Sequence, residues 1–178
     1  MWFLRLKHWQ IFCIIIPAFI LQNFTWEMHV EATIIIKLTG SLGYFIWPLI
    51  MGDALHNIAG KKYDLNHNFF LINALVFLIS IILVFLLAGP EGFHVAGLTA
   101  IPFLYCFFAF IYYYAYPVKA LKAIETGKDV SLGDYIGDFF LLLFFPIGIW
   151  FTQPRLNKIA MIYDGKDSCK RNSNWINS

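Results

Sequence analysis

Charge is what this chain has least of. Asp, Glu, Lys and Arg make up 13% of its 178 residues, about half the share of an ordinary soluble domain. With 60% hydrophobic residues and a mean hydropathy of +0.66, that scarcity argues against a water-soluble fold. Cysteine is scarce as well. Cys13 and Cys106 lie in apolar stretches and Cys169 in a polar tail. No CxxC pair and no His/Cys metal spacing occurs, so free thiols are expected rather than a disulfide framework or a structural metal. A basic patch interleaved with aromatics is missing, which argues against nucleic acid as a partner. The alternating pattern of a barrel strand is missing too. So are Gly-x-Ser-x-Gly, HExxH and phosphate-loop motifs.

What remains is a set of apolar runs. A bilayer core of roughly 30 Å needs about 20 helical residues, and helices satisfy their own backbone in hydrocarbon. The opening Met1–Trp9 is amphipathic and resembles the charged start of a signal peptide. No small-residue cleavage site follows it, so it reads as the interfacial lead-in to an uncleaved first span. That span is short, roughly Gln10–Phe24, and Pro17 interrupts it. The second runs roughly Thr33–Gly52, with a possible extension to Ile58. The third, Phe69–Ala88, is the clearest, with Asn73 and Ser80 as its polar interruptions. The fourth runs roughly Gly97–Tyr116, and Tyr112, Tyr113, Tyr114 and Tyr116 suggest an interfacial aromatic belt at its end. Val118–Glu125 should continue this helix into water, with Gly127 as its stop.

Four crossings sort the charges. With the N-terminus in the cytoplasm, Arg5, Lys7, Lys61, Lys62, Lys119, Lys122 and Lys128 all fall inside. The outer connectors hold Glu27, Glu31 and Glu91, with the turn Gly89-Pro90-Glu91-Gly92, and no Lys or Arg. This is the positive-inside pattern.

The last apolar stretch, Ile136–Phe151, admits two readings. A fifth crossing would carry Arg155, Lys158, Lys166, Lys170 and Arg171 outside. It would also place Pro146 and Gly148 at the centre of a helix, where a proline costs about 3 kcal/mol. A hairpin with its tip at Pro146-Ile147-Gly148 would instead return Asp138 and Arg155 to one interface. The hairpin is preferred; a broken fifth helix is its rival, because the charge rule weakens toward a C-terminus. Ser131-Leu132-Gly133-Asp134 has the form of a helix N-terminal capping box. Asp134 and Asp138 would then share one face near a helix start, where negative charge is favourable.

The segment Phe144-Phe145-Pro146-Ile147-Gly148-Ile149-Trp150-Phe151-Thr152-Gln153-Pro154-Arg155-Leu156-Asn157 resembles a C-terminal signature of small, uncharacterised bacterial multi-pass membrane proteins. Arg5-Leu6-Lys7-His8-Trp9 is similar to their opening. The resemblance covers the two ends of the chain. It implies an integral membrane protein and no particular activity.

Few residues could carry chemistry. Ionisable groups inside a membrane are functional candidates by default. Lys37, within the second span, could be a counter-ion between helices, or it could snorkel to the outer surface one turn away. Asp53 and His56 share a helix face, and Asp64 and His67 follow in the next loop. They could handle protons or a divalent metal, or form an ordinary solvated loop. His8, His29, His56, His67 and His94 all fall at or beyond span ends, which argues against a haem held between helices. Gly40 and Gly43, with Thr39 and Ser41, make a small-residue patch for close helix packing. Arg155, with Gln153, could bind a lipid phosphate or an acidic partner. Alternatively, an Arg155–Asp138 ion pair could pin the hairpin.

The expected fold is an all-α membrane bundle: four spans in residues 1–130, a re-entrant or interfacial helical hairpin in 131–163, and a polar cytoplasmic tail in 164–178. Both termini would be in the cytoplasm, across a bacterial inner membrane. The expected partners are the lipid bilayer and either a second copy of the chain or another membrane protein. No cofactor and no metal are expected. With no catalytic constellation visible, the leading functional expectation is a non-enzymatic accessory or partner-binding membrane protein. A small oligomeric transporter or channel using Lys37, Asn73 and Asp53 is the alternative. A lipid-active enzyme using Asp53, His56 and Arg155 is the second.

Overall fold

A computed structural model describes residue 4 and residues 6–25, 29–87, 97 and 100–176; for residues 87, 145, 146 and 164–176 it describes the backbone alone. Arg5, Trp26, Glu27, the Gly89–Gly92 turn and His94 lie outside the described residues. The described chain is all-helical: α1 (His8–Asn23), α2 (Val30–Ala59), α3 (His67–Leu87), α4 (Ala100–Thr126), α5 (Leu132–Leu143) and α6 (Phe145–Ile176). Among the described residues, α2, α3 and α4 are long and apolar enough to cross a membrane. At 16 residues α1 is shorter, about 24 Å at 1.5 Å per residue.

The surface supports the same reading. Leu71, Ile72, Leu75, Ile79, Leu83, Val84 and Leu86 of α3 are exposed, as are Ile101, Phe103, Leu104, Phe107 and Phe108 of α4. Soluble monomers rarely present apolar patches of that extent. Inside hydrocarbon, helices gain little from burying more hydrocarbon, so close packing and hydrogen bonds must hold them together. α1 and α2 meet this way. A Cβ on Gly40 would lie 2.5 Å from the Gln22 nitrogen and 2.6 Å from the Ala18 carbonyl oxygen, and one on Gly43 2.8 Å from the Ala18 Cβ. Only a glycine lets the two backbones approach so closely. At the other end of α2, Gly52 does the same for the ring of Phe70, 2.6 Å from where a Cβ would sit.

α2, α3 and α4 share an aromatic column. Phe45 stacks on Tyr113, Tyr113 on Phe70, and Phe70 on Tyr116, with centroids 4.7, 5.8 and 4.3 Å apart. Tyr113, Tyr114 and Tyr116 are therefore buried, where the sequence suggested an interfacial belt. For Tyr113 and Tyr116 the hydroxyl has a partner within the bundle. Tyr113 Oη donates to the Phe45 carbonyl, and Tyr116 Oη lies 3.2 Å from His56 Nδ1. A buried tyrosine with a satisfied hydroxyl has no need of the headgroup layer.

Gly127 ends α4 in the left-handed region, φ 71°. Ser131 then opens α5 with a capping box: its N–H and its hydroxyl both donate to Asp134 Oδ2, at 2.8 and 2.9 Å. The chain turns at Phe144, and α6 runs back beside α5. Gly148 permits this approach, because a Cβ there would overlap the Leu141 carbonyl. The turn thus lies two residues ahead of the tip expected from sequence. Pro146 falls in the first turn of α6, where a proline has no intrahelical hydrogen bond to lose. The α6 backbone stays helical through Ile176, so the stretch 164–176 continues α6.

Candidate functional site

Of the Lys and Arg residues whose side chains are described, all but Lys37 lie at one end of the bundle, where α2 and α4 finish and α3 and α5 begin. Several of these cations tie separate parts of the chain together. Lys119 Nζ donates to the Asp64 carbonyl at 2.9 Å, and the Asp64 N–H donates to Asp129 Oδ1 at 3.0 Å. These two contacts fasten the α2–α3 loop to α4 and to the α4–α5 connector.

Arg155 is the centre of this end. Its Nε and Nη2 donate to Glu125 of α4, at 2.7 and 2.5 Å. Nη1 and Nη2 donate to Asp138 of α5, at 2.7 and 2.9 Å. The guanidinium fork thus meets one carboxylate from each of two neighbouring helices, the paired geometry that lysine cannot supply. Lys122 adds a fourth charge, 3.7 Å from Asp138. Burial by itself would raise the Asp138 carboxyl. The hydrogen bond and charge of Arg155, followed by Lys122, outweigh it and hold the carboxyl below the usual carboxylate range. Arg155 is pushed further up, first by Glu125 and then by Asp138, and stays charged throughout.

Gln153 serves a different seam. Its Nε2 donates to the carbonyls of Leu6 and Leu4, at 2.8 and 3.2 Å, fixing the lead-in of α1 to α6. Gln153 is itself 1% exposed, and its Oε1 is buried without a hydrogen-bond partner. His8 and Phe12 of α1 pack on Trp150 just above it.

Asp53 and His56 are joined by His67 of α3. The two imidazoles stack at 4.2 Å with planes 7° apart. His67 Nε2 lies 3.4 Å from Asp53 Oδ1, and Asn57 Nδ2 lies 3.3 Å from Asp53 Oδ2. Tyr116 closes the group through His56. Among the described residues, no group of three His, Cys, Asp or Glu is placed to hold a metal ion. Asp64 is held outside the cluster by its main chain, which bonds Lys119 and Asp129.

Lys37 joins none of these groups. It lies sixteen residues before Asp53 on α2, about 24 Å along the helix. Asn73 sits fully buried near the lysine-rich end, its Nδ2 donating to the Phe69 carbonyl at 2.8 Å. Lys37 and Asp53 therefore belong to no common cluster, and Asn73 bonds within its own helix. Sequence reasoning missed Glu125 and Tyr116. Glu125 carried a readable signal: an acid in the last turn of α4, at the level to which a returning hairpin would bring Arg155. Tyr116 carried none, because its role depends on how α4 rotates against α2.

No family model matches the chain, and no curated protein or solved structure matches it.

Proposed function

We propose that this chain is a four-span, non-enzymatic membrane protein whose α5–α6 hairpin enters the bilayer from the cytoplasmic side and returns, and that it acts as an accessory or partner-binding scaffold through its lysine-rich cytoplasmic end. The observation that carries the reading is the Arg155–Asp138–Glu125 clasp. On one continuous crossing helix, Asp138 and Arg155 would stand about 25 Å apart. In contact, they leave the hairpin with a charged base and an apolar tip. Phe140, Phe144, Ile147 and Phe151 around the turn are all exposed, an arrangement suited to lipid and unsuited to water. From Arg155 up to Phe145 is about 15 Å of helix, roughly half a hydrocarbon core. α1 completes the four spans, its 16 residues lengthened at both ends by the amphipathic lead-in and the Phe24–Thr25 extension.

Both carboxylates of the clasp are fully engaged with Arg155, which favours a structural part for this cluster over a catalytic one. A transport reading has less behind it, since its three candidate polar residues are dispersed. A photo-crosslinking amino acid at exposed cytoplasmic-end positions such as Lys128 and Asn66 should give discrete protein adducts in cells, whereas the lipid-facing Leu75 and Ile79 should give lipid adducts. Ion or solute flux in proteoliposomes that Asp53→Asn abolishes, with no protein adduct from the cytoplasmic end, would overturn the proposal.

A further inference from the structure

A cleft of about 660 Å³ opens at the lysine-rich end between the last turns of α2 and α4 and the middle of α6. Its floor is aliphatic: Ile58, Ile124, Ile159 and Ile162. Its rim carries Lys62, Lys158 and Arg155, with Glu125 as the acid. Glu125 is already neutralised by both of its hydrogen bonds to Arg155. Lys62 and Lys158 differ from Lys122 and Arg155 in one respect. Neither meets a carboxylate among the described residues, as Lys122 and Arg155 do, and Lys62 lies 5.1 Å from the centroid of the Tyr63 ring. Two exposed cations thus stand over an isoleucine floor.

We infer that this cleft holds an anionic phospholipid of the cytoplasmic leaflet, its phosphate between Lys62 and Lys158 and its glycerol and upper acyl chain on the isoleucines. The depth is right for it. α2 has 30 residues, about 45 Å, so its last turn extends beyond a 30 Å hydrocarbon core into the headgroup layer. Tyr63 and Tyr163 line the same cleft, and tyrosine favours that depth. Basic pockets between helices on the cytoplasmic side suit anionic headgroups, with about 1 kcal/mol of attraction per Lys near the surface. A soluble acidic protein would meet Lys61 and Lys128 as readily, and neither of these has the apolar floor.

The inference rests on the proposed orientation only for naming the leaflet; the cleft itself is testable in detergent, where there are no sides. Purified full-length protein is titrated with phosphatidylglycerol, phosphatidylcholine and glycerol phosphate, with native mass spectrometry and melting temperature as readouts. Phosphatidylglycerol should remain bound and raise the melting temperature, and the other two should do neither. Lys62→Ala and Lys158→Ala should each weaken retention about fivefold, and Lys61→Ala should leave it unchanged. Both lysines are exposed, so the lipid-free variants should melt as the parent does, which separates lost binding from lost folding. Equal retention of phosphatidylcholine, binding of glycerol phosphate as tight as that of the lipid, or phosphatidylglycerol retention unmoved in the double variant would each overturn the inference. A loss of retention in the double variant upholds it even where cell labelling contradicts the orientation.

Discussion

The two ends of the bundle are held together by different physics. At the end opposite the lysine-rich one, α1 and α2 touch backbone to backbone through Gly40, Gly43 and Ala18. At the lysine-rich end, the contacts are hydrogen-bonded and charged, and they join parts of the chain far apart in sequence. Gln153 reaches Leu6, Lys119 reaches Asp64, and Arg155 reaches Glu125 and Asp138. In lipid, close fit is the main attraction available between apolar helices, so small residues decide where helices meet. Where water competes, only well-oriented charge-assisted bonds hold a particular partner. The apolar end therefore tolerates any change that keeps its volume, and the charged end tolerates none that loses its geometry.

The largest effect should come from the charged end. Arg155→Ala leaves Glu125 without its cation and Asp138 with Lys122 alone. Breaking a buried pair from one side costs 3–5 kcal/mol. Arg155, Asp138 and Glu125 are only partly buried, with side chains 25, 15 and 27% exposed, so about 2–3 kcal/mol is expected, read as a fall in melting temperature in detergent. Arg155→Lys should recover less than half of it, because a lysine cannot serve both carboxylates. At the apolar end, Gly40→Leu should force α1 off α2 at a cost of about 1–3 kcal/mol, and Gly40→Ala should cost less.

Acid sharpens the contrast. The Asp138 carboxyl is held below its ordinary value, which is about 3.9 in an unfolded chain. A group lowered on folding contributes its full stability above the unfolded value and loses it as pH falls through the folded one. Melting temperature should therefore drop below about pH 4, and Asp138→Asn should flatten that limb of the profile while lowering the plateau. Gly40→Leu should shift the whole profile down without changing its shape. The smallest effect belongs to the aromatic column: Tyr116→Phe removes one hydrogen bond to His56, about 1 kcal/mol, and should leave the acid limb untouched.

The chain displays the apolar end openly and the charged end only in part. Span positions follow from run length, and the Gly40–Gly43 patch was visible because small residues are rare amid Ile, Leu and Phe. Gly127 and the Ser131–Asp134 box mark their own boundaries by local chemistry. The Asp138–Arg155 pairing could be named once a turn was assumed between them, since both lie at similar distances from it. The tip itself was displaced, because Pro146 is as compatible with a helix start as with a turn. Glu125 and the burial of the tyrosines depend on helix rotation, which a run of aromatics on nearly every face of α4 does not encode. The stacking of His56 on His67 needed α3 to be set against α2 by Gly52 and Phe70, a fit expressed only in three dimensions.

The central claim is that α5 and α6 leave the lysine-rich face and come back to it. It is tested most directly by labelling with a membrane-impermeant thiol reagent in intact spheroplasts, in a chain with Cys13→Ser and Cys106→Ser. Two reporters are compared, one ahead of the hairpin at Lys128→Cys and one beyond it at the native Cys169. Both should stay unlabelled until the membrane is opened, and then react together. Labelling of Cys169 from outside while Lys128→Cys stays protected would mean that the segment crosses, and the clasp of Arg155 with Asp138 could not then exist.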